Sequence, residues 1–219
     1  MDIILIGAPG AGKGTQAKKL SQLLGVRHVA SGDLFQKAFE EQTELGLKAR
    51  TYVDLGELVP DKMTIPMVLR HIEEPEGLHG VMLDGFPRTL AQAQALDTGL
   101  QQVNRQIDLV IYLKVSLGEL PRRLAGRVFC RAHSHVYHVD FHPPKVAGVC
   151  DLDGSKLYQR PDDTGEAVRR RLVVFFNEAS QVLDYYKKQN KLKEVDGDQN
   201  IDQVQAMILN EIHNCMEKK

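Results

Sequence analysis

Nine residues near the start of the chain, Gly7-Ala-Pro-Gly-Ala-Gly-Lys-Gly-Thr15, follow directly on the apolar run Ile3-Ile-Leu-Ile6. A short continuous apolar run reads as a strand buried on both faces of a parallel sheet. The glycine-rich turn then opens the helical pattern Lys13 to Leu24. Glycines let the backbone curl into a nest of N–H groups, and a helix start adds positive potential, so polyphosphate is held at such a turn. Lys13 supplies the point charge for the outer phosphates. One detail departs from the usual loop: Gly14 stands between Lys13 and the hydroxyl residue Thr15.

The remainder of the chain keeps alternating strands with helices. Gly25 is expected to cap the loop helix, and Val26 to Ala30 reads as a short strand. Ser31 is placed to cap a helix through about Gln42, with a second helix ending near Gly56. Val81 to Asp84 and Leu109 to Val115 are core strands, with a helix from Leu90 to Leu100 between them. Ser116 to Val128 and Val168 to Gln189 read as helices, Leu192 to Val195 as a strand, and Ile201 to Met216 as a closing helix. Pro66 and Pro121 fall inside helical stretches, each either an early-turn residue or a source of a kink. Repeated βα units imply a parallel sheet covered by helices.

With 219 residues, 42% of them hydrophobic, the chain can bury a full core without disulfide staples. Its 28 Lys+Arg nearly balance 29 Asp+Glu, which argues against a nucleic-acid or membrane surface. Three cysteines, an odd number, point to a reducing compartment, and the N-terminal apolar run is too short for a signal peptide or a span. A cytoplasmic location is expected.

From Arg127 to Asp163 the βα rhythm breaks. Val136-Tyr-His-Val139 alternates like a strand and Pro143-Pro144 forces a turn, so a small β-rich insertion is expected between two core helices. Within it, Cys130-Arg-Ala-His133 and Cys150-Asp-Leu-Asp153 repeat the same spacing, sixteen residues apart. Thiolate, imidazole and carboxylate are all zinc ligands, and four of them close a tetrahedral structural site. The expected ligands are therefore Cys130, His133, Cys150 and Asp153. His135, His138 and His142 are rivals without that spacing, and a hydrogen-bonded insertion with no metal is the alternative.

Taken together, the Gly7–Thr15 loop, Ser31-Gly-Asp33, Asp84-Gly-Phe-Pro-Arg88, Val136-Tyr137 and Asp162-Asp163 resemble, in order and spacing, the long form of the adenylate kinases. The resemblance runs along essentially the whole chain. It implies an α/β fold: a P-loop parallel-sheet core flanked by helices (residues 1–29, 60–126 and 165–219), a helical segment binding nucleoside monophosphate (30–59), and a β-rich, zinc-binding lid (127–164). It also implies a monomer that reversibly converts MgATP and AMP into two ADP.

Such a reaction asks the protein to align two nucleotides and to neutralise charge spreading over the moving phosphoryl group. By the resemblance, Gly10, Ala11, Gly12, Lys13, Gly14 and Thr15 hold ATP, together with Arg127, Val136, Tyr137 and Gln199. Ser31, Gln36, Glu57, Leu58, Val59, Gly85, Phe86, Pro87, Arg88, Gln92, Arg160 and Arg171 form the AMP site. Lys13, Asp84, Arg88, Arg123, Arg160 and Arg171 serve the transfer, with Asp84 orienting Mg²⁺ or its waters. Guanidinium forks suit this work because they bind phosphate oxygens bidentately and stay charged. A glutamine amide such as that of Gln92 can pair with the donor–acceptor edge of adenine. Asp162 and Asp163 read either as acids at a helix start or as partners in lid closure.

Rival readings share many of these motifs. Another nucleoside monophosphate kinase, acting on UMP or CMP or using GTP, would keep most of them. A non-catalytic P-loop binding module needs no converging arginines, and a guanine-specific switch would carry an Asn-Lys-x-Asp element that this chain lacks.

One residue departs from the family pattern. An arginine usually follows the Ser31-Gly-Asp element to grip the AMP phosphate, and here Gln36 stands in its place. A hydrogen bond to a charged group contributes roughly 1.5–3 kcal/mol against about 1 for a neutral pair, so AMP affinity falls by up to about tenfold. Gln36→Arg is therefore expected to lower the Michaelis constant for AMP severalfold and to leave that for ATP unchanged. Steady-state kinetics with each substrate varied in turn checks this, and unaltered AMP kinetics would show that Gln36 does not face the acceptor phosphate.

Overall fold

A computed structural model describes residues 1–73, 80–133, 135–160, 163 and 165–217. Its first four strands, β1 (Ile3–Gly7), β2 (Arg27–Ala30), β3 (Val81–Asp84) and β4 (Leu109–Lys114), lie parallel in one sheet. Next, β5 (Arg127–Cys130), β6 (Val136–His138) and β7 (Leu157–Tyr158) form a separate antiparallel sheet in the order β6-β5-β7. The last strand, β8 (Leu192–Asp196), returns to the first sheet, whose order is β2-β3-β1-β4-β8. The α/β parallel-sheet architecture expected from the sequence is the one observed.

Period-two alternation along the strands divides the core. Ile3, Leu5, Leu109, Ile111 and Leu113 pack with Ala17 and Leu20 of α1 (Lys13–Leu24) and with Val204, Ile208 and Ile212 of the C-terminal helix 201–216. Ile4, Ile6, Leu83 and Val110 face the opposite way. They meet Val68 and Ile72 of a helix over 61–73, Ala93 and Leu96 of one over 90–102, and Val182 and Tyr186 of one over 165–188. These strands are buried on both faces, which is why they read as unbroken apolar runs.

In chain order the other helices are α2 (Ser31–Glu40), α3 (Glu44–Asp54), α4 (Asp61–Glu73), α5 (Leu90–Gln102), α6 (Glu119–Ala125), α7 (Gly165–Lys188) and α8 (Ile201–Met216). A small core of its own, Phe35, Ala49 and Val59, holds α2 and α3 together. Gly25 caps α1 as expected, with φ 62° and its N–H bonded to the Ser21 carbonyl. Among the described residues, no helix is long and apolar enough to cross a membrane.

Two local expectations need correction, and an open choice is settled. Ser31 is the first residue of α2 and not its cap; its hydroxyl donates instead to the Gly85 carbonyl at 2.7 Å. The helix read over 116–128 is only Glu119–Ala125. It stops at Gly126, where a Cβ would lie 2.4 Å from the His138 ring, and the chain crosses into β5 at Arg127. The two prolines also differ. Pro121 is the third residue of α6, where a missing N–H costs nothing, whereas Pro66 lies inside α4 and deprives it of one internal bond.

Register carries the ends of the strands to a common edge. Leu5 pairs with both Asp84 and Ile111, and Ala30 pairs with Asp84. The loops that leave β1, β2 and β3 therefore open side by side, next to the point where strand order reverses beside β1. Ligands of open α/β sheets bind in the crevice at such a switch point.

Candidate nucleotide site

That crevice is a cleft of about 2440 Å³. Small-molecule pockets usually measure about 300–1,000 Å³, so this one has room for two nucleotides. Every residue expected to bind nucleotide or to serve the transfer lines it except Phe86, which is 1% exposed and sits in the core between α4 and α5. The Phe86 side chain thus packs in the core and does not line the cleft.

At the floor of the cleft, the loop after β1 turns through Gly10 and Gly12, at φ 87° and 92°, into α1. Lys13 Nζ bends back to donate to the carbonyls of Gly7 and Ala8, at 2.7 and 3.1 Å. Burial lowers its pKa to about 8; Asp84 opposes that shift, and Arg88, Arg127 and Arg171 add to it. A Cβ on Gly14 would stand 3.3 Å from Asp84 Oδ2. The glycine that displaces the hydroxyl to Thr15 is therefore the one that lets helix and carboxylate approach. Burial pushes the Asp84 pKa up, but the His28 imidazole and the cations of Lys13 and Arg88 outweigh it, so the carboxyl titrates below its ordinary range. His28 Nε2 lies 3.8 Å from Asp84 Oδ2 and is a neighbour that the sequence reading passed over.

On the side of α2 and α5, Gly85 packs where a Cβ would fall 2.9 Å from Ser31 Oγ and 3.0 Å from Arg88 Nη2. Arg88 Nε donates to the Gly85 carbonyl at 2.7 Å. Gln36 lines the cleft with its amide donated to Glu40 Oε1, one turn along α2, at 3.0 Å. Gln92 is 1% exposed, and both ends of its amide have protein partners. On the opposite side, Arg123 donates to the Gly197 carbonyl at 2.8 Å and Gln199 to Asp196 at 2.8 Å, gathering both beside the loop after β8.

The arginines converge around a carboxylate left out of the expected binding set. Asp163, with no exposed surface, accepts Arg127 Nε at 2.8 Å and Nη2 at 2.6 Å, and also Arg171 Nη1 at 2.6 Å. Burial acts to raise its pKa, but bonding to Arg127 and the charges of Arg127, Arg171 and Arg160 win, and the net shift is downward. Arg127 and Arg160 both lie over the Phe129 ring, at 4.9 and 5.1 Å from its centroid. The neighbouring Asp162 lies outside the described residues.

In the small sheet, Cys130, His135, Cys150 and Asp153 bring their ligand atoms within 4.8 Å of one another. The histidine of this cluster is His135 and not the expected His133. Hairpin pairing explains the change: Cys130 N–H bonds the His135 carbonyl at 2.9 Å, which sets the two residues opposite each other. His133 sits in the turn with an exposed side chain, and only its backbone N–H reaches Cys130 Sγ, at 3.4 Å. Asp153 Oδ2 lies 3.2 Å from Cys130 Sγ and 3.3 Å from His135 Nδ1, which in turn lies 3.3 Å from Cys150 Sγ. Ligands about 2.0–2.3 Å from a tetrahedral zinc stand roughly 3.3–3.8 Å apart, so the donor set fits that ion. Tyr137, expected against ATP, is largely buried, with its hydroxyl 3.5 Å from Cys150 Sγ.

A family model described as adenylate kinase matches residues 5–191. The adenylate kinase of Methanocella arvoryzae is 48% identical over 206 residues, which cover 94% of this chain and 95% of the relative. That of Staphylococcus aureus is 47% identical over 204 residues, 93% of this chain and 95% of the relative, and that of Staphylococcus epidermidis is 46% identical over the same length.

The depressed Lys13 pKa has a measurable consequence. Bound phosphate supplies the counter-charge that burial denies the ammonium, so binding raises the pKa from about 8 towards the ordinary 10.5. Between those values complex formation takes up a proton. Affinity for polyphosphate therefore holds below pH 8 and declines as pH rises beyond it, by up to about tenfold per unit. Titration calorimetry at pH 9 in buffers of different ionisation enthalpy should show the uptake, and Lys13→Met should abolish it. Binding independent of pH between 7.5 and 9.5 would contradict the assignment.

Proposed function

The chain belongs to the adenylate kinase family, and from that premise we propose that it catalyses reversible phosphoryl transfer from MgATP to AMP, giving two ADP. The observation that carries the reading is the single cleft in which a phosphate loop, one ionised carboxylate and arginines from separate elements meet. Phosphoryl transfer is catalysed almost wholly by positioning and by neutralising charge.

Within this reading, loop N–H groups and Lys13 hold the donor phosphates. Arg88, Arg123 and Arg171 approach from the core, and Arg127 and Arg160 from the lid. Adenylate kinases use Mg²⁺ with ATP, and Asp84, ionised in the cleft beside Lys13, is the residue suited to hold the ion or its waters; when bound, Mg²⁺ neutralises charge between the phosphates. Residues 30–59, with their own small core, and 127–164, with their own sheet, act as acceptor-binding segment and lid on a core of 1–29, 60–126 and 165–219. Closure excludes water, which would otherwise divert the transfer into hydrolysis. ATP, AMP and ADP are its small-molecule partners; the free cysteines support a reducing compartment such as the cytoplasm, and a monomer is what the family resemblance implies.

A coupled assay with ATP and a panel of nucleoside monophosphates tests the proposal. AMP should be the preferred acceptor, and preference for UMP or CMP would instead favour the neighbouring kinase class. A second expectation concerns the lid. Cys130 and His135 flank one turn and Cys150 and Asp153 lie together at another, so we infer a structural zinc that cross-links the two and takes no part in transfer. Chelation should lower the melting temperature far more than the rate at moderate temperature. Protein purified without chelator and found free of zinc would end that inference.

A further inference from the structure

The buried amide of Gln92 is tied at both ends by groups of a single polarity. Its Oε1 accepts the Arg88 backbone N–H at 2.8 Å, and its Nε2 donates to Asp61 Oδ1 at 2.6 Å. The second Asp61 oxygen accepts the Thr89 hydroxyl at 3.0 Å, and Thr89, the N-cap of α5, accepts the Gln92 N–H at 3.2 Å. Asp61 is the first residue of α4, so two helix starts lock together through this one carboxylate.

A backbone N–H can only donate, and an ionised carboxylate can only accept. Turning the Gln92 amide over would set its NH₂ against the Arg88 N–H and its oxygen against the Asp61 carboxylate, replacing two bonds with two repulsions. The amide is therefore held one way round. An amide has two N–H groups and an oxygen with two lone pairs, so one donor and one acceptor position are left for a ligand. Adenine offers a ring-nitrogen acceptor beside an amino donor, which matches that pair. A 6-oxopurine offers a ring N–H beside a carbonyl, the reverse pattern, and matches only the turned-over amide.

We propose that Asp61 is a specificity-determining positioning residue: by fixing the Gln92 amide, it makes the acceptor pocket take adenine and refuse 6-oxopurines. The inference rests on the reading that Gln92 faces the acceptor base. Sites that hydrogen-bond their substrate reject mismatched analogues strongly, because the mismatch leaves buried polar groups unpaired.

The test is kcat/KM for AMP and for inosine monophosphate, with ATP as donor, in the parent enzyme and in Asp61→Ala, Asp61→Asn and Gln92→Ala. Both Asp61 variants lose the same charge at the start of α4, but only Asn keeps an oxygen able to accept from Nε2. The AMP-to-inosine-monophosphate ratio should fall by about tenfold or more in Asp61→Ala and stay within about twofold of the parent in Asp61→Asn. Where Asp61→Ala does not fold, Asp61→Ser, whose hydroxyl is too short to reach Nε2, carries the same expectation. A ratio unchanged in Asp61→Ala, or lowered equally in Asp61→Asn, would overturn the orienting role. A ratio unchanged in Gln92→Ala would overturn the base-reading role beneath it, so the two failures are separable.

Discussion

A carboxylate with no exposed surface, Asp163, is the constraint on which the arginine arrangement depends. The cleft gathers Lys13, Arg88, Arg127 and Arg171 closely enough that their repulsion helps to depress the Lys13 pKa. Bidentate acceptance of Arg127 and a further bond from Arg171 offset part of that repulsion. Burying such a charge is costly unless it is fully bonded, and here the bonds come from the first residue of β5 and from α7, two elements otherwise far apart in the chain. The acid thus sets the geometry of the site as well as its charge.

A second constraint lies in the parallel sheet. The strand ends of β1, β2 and β3 share one edge, so the phosphate loop, the Ser31 turn and the Asp84–Arg88 turn open together. Their spacing is tight: a Cβ on Gly14 would press on Asp84, and one on Gly85 on Ser31 and Arg88. Apolar clusters on both faces of the sheet hold these loops, while Phe35, Ala49 and Val59, and the β5–β7 sheet, form small units of their own. Loops held by a rigid scaffold beside segments with separate small cores are a basis for closure without loss of the fold.

How much of this could be read beforehand depended on the range of the interactions. The loop at Gly7–Thr15, the five core strands and α1 were legible because apolar periodicity and glycine placement are local signals. The role of Ser31 is not local: its hydroxyl bonds Gly85, fifty-four residues away, rather than capping its own helix. Repeated spacing points to His133, whereas strand pairing opposite Cys130 brings His135 to the cluster, a contact that spacing alone does not show. The role of Asp163 is not legible in sequence, since its partners lie thirty-six and eight residues away. Asp61 carried no signal, because an acid at a helix start is ordinary and its bond to Gln92 exists only in the folded chain.

The central claim is that Asp163 holds Arg127 and Arg171 in position for the phosphates, and Asp163→Asn tests it most directly. Asparagine keeps the shape and one acceptor oxygen but removes the charge that both guanidiniums share. The measurement is kcat at saturating ATP and AMP, with circular dichroism to establish that the variant is folded. Displacements of about 1 Å in a positioned site can cost about a hundredfold in rate, so the account predicts a folded enzyme whose kcat is lower by at least about tenfold. A folded variant that retains kcat within about twofold of the parent would contradict it.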